Sequence, residues 1–99
     1  MAEEKIDWSE NTQADFNGII EYLADVWSPQ MAERFIDEFY KKLDLLEANP
    51  EIGRRSERRP DIRVFPITKY NRLYYTLQKD RIVLINLLDT RSNPDENPY

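Results

Sequence analysis

Tyr70-Asn71-Arg72-Leu73-Tyr74-Tyr75-Thr76-Leu77, then Gln78-Lys79-Asp80, then Ile82-Val83-Leu84-Ile85-Asn86-Leu87-Leu88: the reading of residues 70–88 decides the fold. The first run alternates. Asn71, Leu73, Tyr75 and Leu77 share one face, and Tyr70, Arg72, Tyr74 and Thr76 share the other, which is the period of a β-strand. Gln78-Lys79-Asp80 supplies a tight turn. The second run is apolar on both faces except at Asn86, as a strand in the middle of a sheet would be. Residues 70–88 therefore predict two adjacent antiparallel strands, the second of them central.

Working towards the N-terminus, Ile62 to Ile67 is a further strand. Its Pro66 has no N–H to donate, which places it at a sheet edge or a bulge. Residues 54–60 are polar and basic, end in Pro60, and read as loop. Before Gly53 the period changes. Phe16, Ile19, Ile20, Leu23, Val26 and Trp27 form one stripe of an α-helix, with Ser9 or Thr12 as N-cap and capping-box spacing over Thr12-Gln13-Ala14-Asp15. Ser28-Pro29 starts a second helix as N-cap and first helical residue. Its stripe is Ala32, Phe35, Ile36, Phe39, Leu43 and Leu46, and Asn49-Pro50 stops it. So short a connection predicts an αα-hairpin. Asp15, Glu21, Glu33, Asp37, Glu38, Asp44 and Glu47 are expected on its outer faces, and Trp8 and Trp27 over the edges of the core. Residues 4–8 form a short first strand, and residues 92–99 an irregular C-terminal tail. The order is β-α-α-β-β-β: an α+β domain, with a helical hairpin packed on a four-stranded antiparallel sheet.

The whole chain of 99 residues fits one domain. Cysteine is absent, which excludes disulfides, a thiol nucleophile and a cysteine metal site; histidine is absent too, which removes the usual general base near neutral pH and the commonest metal ligand. No metal constellation or cofactor motif is apparent. No apolar run approaches the roughly 20 residues that span a membrane, and Met1-Ala2-Glu3-Glu4-Lys5 is unlike a signal peptide. The expectation is a soluble, cytoplasmic protein. The net charge is -5, which weighs against a general nucleic-acid binder, yet it is unevenly spread. Residues 1–50 carry 4 basic and 12 acidic side chains; residues 51–99 carry 10 basic and 7 acidic. Arg54, Arg55, Arg58, Arg59, Arg63, Lys69 and Arg72 crowd one window. Charge this segregated can choose partners.

A helical hairpin ending near Asn49-Pro50, then Arg63-Val64-Phe65, then Tyr70-Asn71-Arg72-Leu73-Tyr74-Tyr75, and an apolar strand ending in Asp89-Thr90-Arg91-Ser92-Asn93-Pro94 resemble, over residues 4–94, the RelE/ParE superfamily of bacterial type II toxins. The resemblance implies a sheet order of 1-4-3-2 with both helices on one face. It also implies a cognate antitoxin whose disordered segment wraps and neutralises the toxin, as in plasmid stabilisation systems. Two activities divide the superfamily. RelE-like members are ribosome-dependent endoribonucleases that cut mRNA through attack of the 2′-hydroxyl on the adjacent phosphate, a reaction that needs cations and a proton carrier. ParE-like members inhibit DNA gyrase by protein–protein contact and need no catalytic residues.

Carried over residue by residue, a nuclease would use Arg63, Arg72, Arg91 and Tyr99. Phe65 stands where a second basic strand residue is common, no histidine is present, and Tyr99 lies far past Arg91. The acidic total also suits rRNA docking poorly. The ParE-like reading is therefore preferred: a toxin whose target-binding residues are Arg72 and Arg91, with gyrase as partner, no membrane and no sequence-specific nucleic acid. The ribosome-dependent nuclease and a degenerate non-toxic binding module are the alternatives. Each residue also has a plainer reading. Arg72 would pair with a carboxylate and cover Tyr70 or Tyr74; Arg91 would be a solvated charge; the Arg54-Arg55 and Arg58-Arg59 pairs would be solvated or dock on the acidic helices. Tyr75 belongs in the core, leaving Tyr70 and Tyr74 as the candidates to stack on bases, although packing on the sheet is the preferred reading for all three.

Overall fold

A computed structural model describes residues 5–91 and 97–99. Its elements are β1 (Lys5–Trp8), α1 (Glu10–Tyr22), a five-residue π-helical turn (Leu23–Trp27), α2 (Pro29–Ala48), β2 (Arg54–Arg55), β3 (Ile62–Thr68), β4 (Asn71–Gln78) and β5 (Arg81–Asp89). The α+β class and the hairpin on one sheet agree with the sequence reading. The sheet itself has five strands in the order β1-β5-β4-β3-β2, not four. It is also mixed: β1 runs parallel to β5, and the remaining pairs are antiparallel. Leaving β2 aside, the order is the expected 1-4-3-2. The added strand is two exposed arginines paired with Val64 and Arg63, a stretch with no apolar alternation to betray it. Residue 4 and most of the tail, residues 92–96, lie outside the described residues.

Local chemistry explains the helix ends. Ser9, not Thr12, caps α1 by accepting the Thr12 N–H at 3.0 Å; Thr12 is buried within the first turn. Ser28 caps α2 by accepting the Met31 N–H at 3.2 Å, with Pro29 following it. Between the helices the Ser28 N–H bonds to the Leu23 carbonyl at 2.9 Å, an i→i+5 bond that widens the turn. The extra residue rotates the end of the first stripe out of register. Val26 and Trp27, expected over the core, are therefore exposed, Trp27 by 67%.

The core lies between hairpin and sheet. Phe16, Phe35, Phe39, Leu43 and Leu46 from the helices meet Phe65, Ile67, Leu73, Tyr75, Ile82, Leu84 and Leu87 from the strands. Trp8 packs edge-on against Phe16, centroids 5.2 Å apart. Two bulges interrupt the ladders, at Ile67 in β3 and Ile85 in β5. Each leaves a carbonyl that a side chain from the helical layer satisfies: Lys42 Nζ donates to Ile67 O at 2.8 Å, and Ser9 Oγ to Ile85 O at 2.8 Å. Pro66 and Lys42 thus blunt the part of β3 that β2 does not cover. No described helix is long and apolar enough to cross a membrane.

Candidate functional site

Cross-strand register assigns each arginine to a face. Arg63 is opposite Tyr75, whose ring is in the core, so Arg63 lies on the helix-covered face. Its guanidinium is occupied: NH1 donates to Gly53 O at 2.8 Å and to Glu51 O at 3.1 Å, and NH2 is 3.7 Å from the Glu51 carboxylate. Tyr75 reaches the same loop. Its hydroxyl donates to Pro50 O and accepts from Gly53 N–H, both at 2.8 Å. Burial raises the Tyr75 hydroxyl pKa, and Glu51 adds to the rise; the Gly53 N–H and Arg63 oppose it. Arg63 and Tyr75 together hold the Pro50–Gly53 corner where the second helix turns into the sheet.

Arg72 belongs to the opposite, outer face. It is exposed and lines a cavity of about 360 Å³ with Arg54, Arg55, Arg58, Tyr74 and Tyr99. Among the described residues none of these four arginines has a carboxylate within ion-pair distance. Neither the expected partner for Arg72 nor a dock of the arginine pairs on the acidic helices is formed there; Arg59 alone meets an acid, Asp61, at 3.9 Å.

Tyr99 closes this face. Its ring stacks on Tyr74 at 4.6 Å with planes 25° apart, leaving Tyr74 only 4% exposed. Alternation alone had left Tyr74 open; the tail buries it. Ser56 Oγ donates to the main-chain oxygen of Tyr99, Arg58 NH1 to Asn97 O at 2.9 Å, and Asn97 Nδ2 to Tyr74 OH at 3.1 Å. The Tyr99 hydroxyl donates to Asn86 Oδ1. Its pKa is raised first by burial, with Asp15 and Tyr74 adding and Arg59 opposing.

Asn86 passes the contact on. Its Nδ2 donates to Asp15 Oδ2 at 3.0 Å, and the Leu87 N–H donates to the same oxygen at 2.9 Å. Asp15 is therefore not an outer-face charge. It is half-buried and satisfies the rim of β5 where β1 has ended. Sequence reasoning missed this role, although the lone polar residue of an apolar strand, Asn86, was the signal for it.

The third arginine is elsewhere again. Asp89 holds Arg91 in a two-point contact, NE to Oδ1 at 3.0 Å and NH2 to Oδ2 at 2.8 Å, and the guanidinium lies 4.7 Å from the Tyr70 ring centre. The hydrogen bonds from Arg91 draw the Asp89 carboxyl below its ordinary pKa. Arg91 is at the rim of a groove of about 930 Å³ between the hairpin tip and the end of the β4–β5 pair. Tyr22, Trp27 and Met31 line it, all exposed. The π-turn creates this surface by turning Trp27 outward. Register joins Arg72 and Arg91 to one end of the sheet, since Arg72 is opposite Leu88 and Asn71 opposite Asp89. The structure thus groups Arg72 with Tyr99, sets Arg91 on the neighbouring groove, and ties Arg63 into the corner on the other face.

Comparisons with known proteins come from family and structure. A family profile described as ParE toxin of type II toxin-antitoxin system, parDE, matches residues 6–94. No curated protein sequence matches the chain significantly. A chain from the structure of the chromosomal ParDE TA system from P. aeruginosa superposes with a TM-score of 0.74 at 18% identity, covering 87% of this chain and 95% of that one. The conserved hypothetical protein HP0894 from Helicobacter pylori superposes with a TM-score of 0.53 at 15% identity, covering 88% and 94%. At such identities the two structures share a fold with this chain.

Proposed function

The chain belongs to the ParE toxin family of type II toxin–antitoxin systems, and on that premise we propose that it inhibits DNA gyrase in the cytoplasm by protein–protein contact and is neutralised by a cognate antitoxin. The observation that carries this reading is the separation of the three arginines. Phosphoryl transfer needs cations converging on one phosphate. Here Arg63 is bound to Gly53 and Glu51 on the inner face, while Arg72 and Arg91 flank one end of the sheet from outside and from the groove. That arrangement suits a contact surface. Among the described residues Arg72 pairs with no carboxylate and can reach a partner, and Asp89 and Tyr70 hold Arg91 at the exposed rim of the groove.

The groove supports the antitoxin half of the proposal. Tyr, Trp, Met and Arg are the residues enriched in protein interfaces, and Tyr22, Trp27, Met31 and Arg91 border one concavity. An antitoxin segment seated there would cover Arg91, so neutralisation would follow from occlusion of the target surface. One feature favours the ribosome-dependent nuclease as a second reading: Arg72 and Tyr99 line the same cavity.

Purified protein at micromolar concentration is expected to block gyrase supercoiling or trap cleaved DNA, and Arg91→Ala to weaken this by roughly tenfold or more. Normal supercoiling would sink the proposal. Cutting of mRNA on programmed ribosomes, abolished by Arg72→Ala, would install the nuclease in its place. Normal growth on induction without the neighbouring small open reading frame would leave only a binding module.

A further inference from the structure

The outer face carries Arg54, Arg58 and Arg72, none of which makes an ion pair among the described residues, yet it is not empty. The chain's own Asn97–Tyr99 lies on it, with the Tyr99 N–H turned back onto Asn97 Oδ1 at 2.8 Å. Two main-chain oxygens of that segment are read, by Ser56 Oγ and Arg58 NH1; one aromatic ring is read, by stacking on Tyr74; one side-chain hydroxyl is read, by Asn86. Recognition of main-chain carbonyls together with a tyrosine is the chemistry of peptide binding. What the segment leaves unfilled is a cavity of about 360 Å³ rimmed by Arg54, Arg58 and Arg72. Like charges gathered around a concavity repel one another until an anion enters. Among the described residues Glu57 is the single acid in the lining, and it makes no ion pair there; acidic side chains beside the tyrosine would complement the remaining positive charge.

We propose that this arginine-rimmed pocket is a receptor for an acidic, tyrosine-bearing peptide segment of a partner protein, and that Asn97–Tyr99 occupies it in cis. The partner's segment takes the place of Tyr99 on Tyr74, while its carboxylates enter the free volume between Arg54, Arg58 and Arg72. Arginine's planar fork suits two-point contacts with such carboxylates. The inference uses Arg72 and Tyr99, the pair that the nuclease reading would also use, and the oligonucleotide arm of the test below distinguishes the two. A tethered ligand competes at an effective concentration of about a millimolar, so the site in the intact chain favours partners that bind strongly or are held nearby by another contact.

The test uses the full chain and a fluorescein-labelled peptide with the sequence of residues 95–99, Asp-Glu-Asn-Pro-Tyr. With Tyr99→Ala, which vacates the stack, fluorescence anisotropy is expected to rise on binding, at least tenfold more tightly than with the unaltered chain. Added salt and Arg58→Ala or Arg72→Ala should weaken it severalfold, and a peptide with alanine for tyrosine should not bind. Equal binding by the two chains, or none by Tyr99→Ala up to about a millimolar peptide, overturns the proposal. So does tighter binding of a single-stranded oligonucleotide of equal charge, which would make the pocket a phosphate site. If Tyr99→Ala fails to fold, excess peptide is titrated into the unaltered chain with amide NMR. Shifts confined to Ser56, Arg58, Tyr74 and Asn86 support the assignment, and their absence refutes it.

Discussion

Tyr75→Phe removes one oxygen atom and tests what holds the helical layer to the sheet. The hydroxyl bridges Pro50 O and the Gly53 N–H at 2.8 Å each, and the ring around it is fully buried. Each hydrogen bond contributes about 1 kcal/mol net, and a buried donor left without a partner costs about 1–3 kcal/mol. Gly53 is buried, so its N–H has no route to water once the oxygen is gone; Pro50 O is only part-buried and can hydrate. The expected loss is about 2–3 kcal/mol. For a domain of this size that lowers the melting temperature by roughly 10–20 °C. It lowers the urea midpoint by about 1.5–2 M at a slope near 1.5 kcal/mol per M. Tryptophan fluorescence during urea unfolding measures it. Tyr70→Phe, at an exposed residue just before the same strand, is the control and should change stability by less than about 0.5 kcal/mol. Arg63→Met should be non-additive with Tyr75→Phe, because both side chains hold Gly53. A midpoint shift no larger than that of the control, with the slope unchanged, would refute the claim that this corner is fastened by the tyrosine.

Alkali should act through the same group. Tyr75 and Tyr99 both have folded pKa values above the ordinary 10.0, so the stability they contribute is whole below that value and disappears as pH rises through their folded pKa. Urea midpoints measured from about pH 9 to pH 11 should fall, and Tyr75→Phe should flatten the fall. The two glycines should respond in opposite directions. A Cβ on Gly53 would meet Tyr75 Oη at 2.5 Å, so Gly53→Ala should cost about 1–3 kcal/mol. Gly18, inside α1 with nothing within 4 Å of its Cβ position, should gain up to about 1 kcal/mol as alanine; thermal unfolding separates the two.

Much of this molecule was legible because its signals are local. Ser28-Pro29 and Asn49-Pro50 mark helix ends through backbone geometry that no distant contact overrides. Strict alternation over residues 71–77 and the continuous apolar run after Ile82 assign a half-covered strand and a central one. The illegible parts depend on partners far along the chain. Two exposed arginines became β2 only because β3 offered hydrogen bonds. The π-turn is a single widened loop of helix, invisible to a 3.6-residue period, yet it turned Trp27 from a core residue into the wall of a groove. Asp15 read as surface charge because nothing nearby in sequence shows that β1 stops at Trp8, leaving the Leu87 N–H in need of an acceptor. Packing was the preferred reading for Tyr74, but its cover was not legible, because it arrives from Tyr99, 25 positions later.

The net charge of -5 describes neither surface that partners would meet. Glu21, Glu33, Asp37 and Asp44 are exposed on the hairpin, while Arg54, Arg58 and Arg72 are exposed on the far side of the sheet from it. The sheet keeps the two sets from neutralising one another, so the chain presents an acidic side and a basic side in spite of its total. The groove lies at the end where they meet and is lined mainly by aromatic and aliphatic side chains. Binding there rests on apolar burial, which salt barely weakens, whereas binding at the arginine pocket rests on charge, which salt screens over about 8–10 Å. Ionic strength therefore distinguishes the two surfaces. A partner whose affinity survives added salt and falls with Trp27→Ala is in the groove. One whose affinity collapses with salt but ignores Trp27 is on the arginine face, and a segmented antitoxin that lost affinity by both routes would span the two.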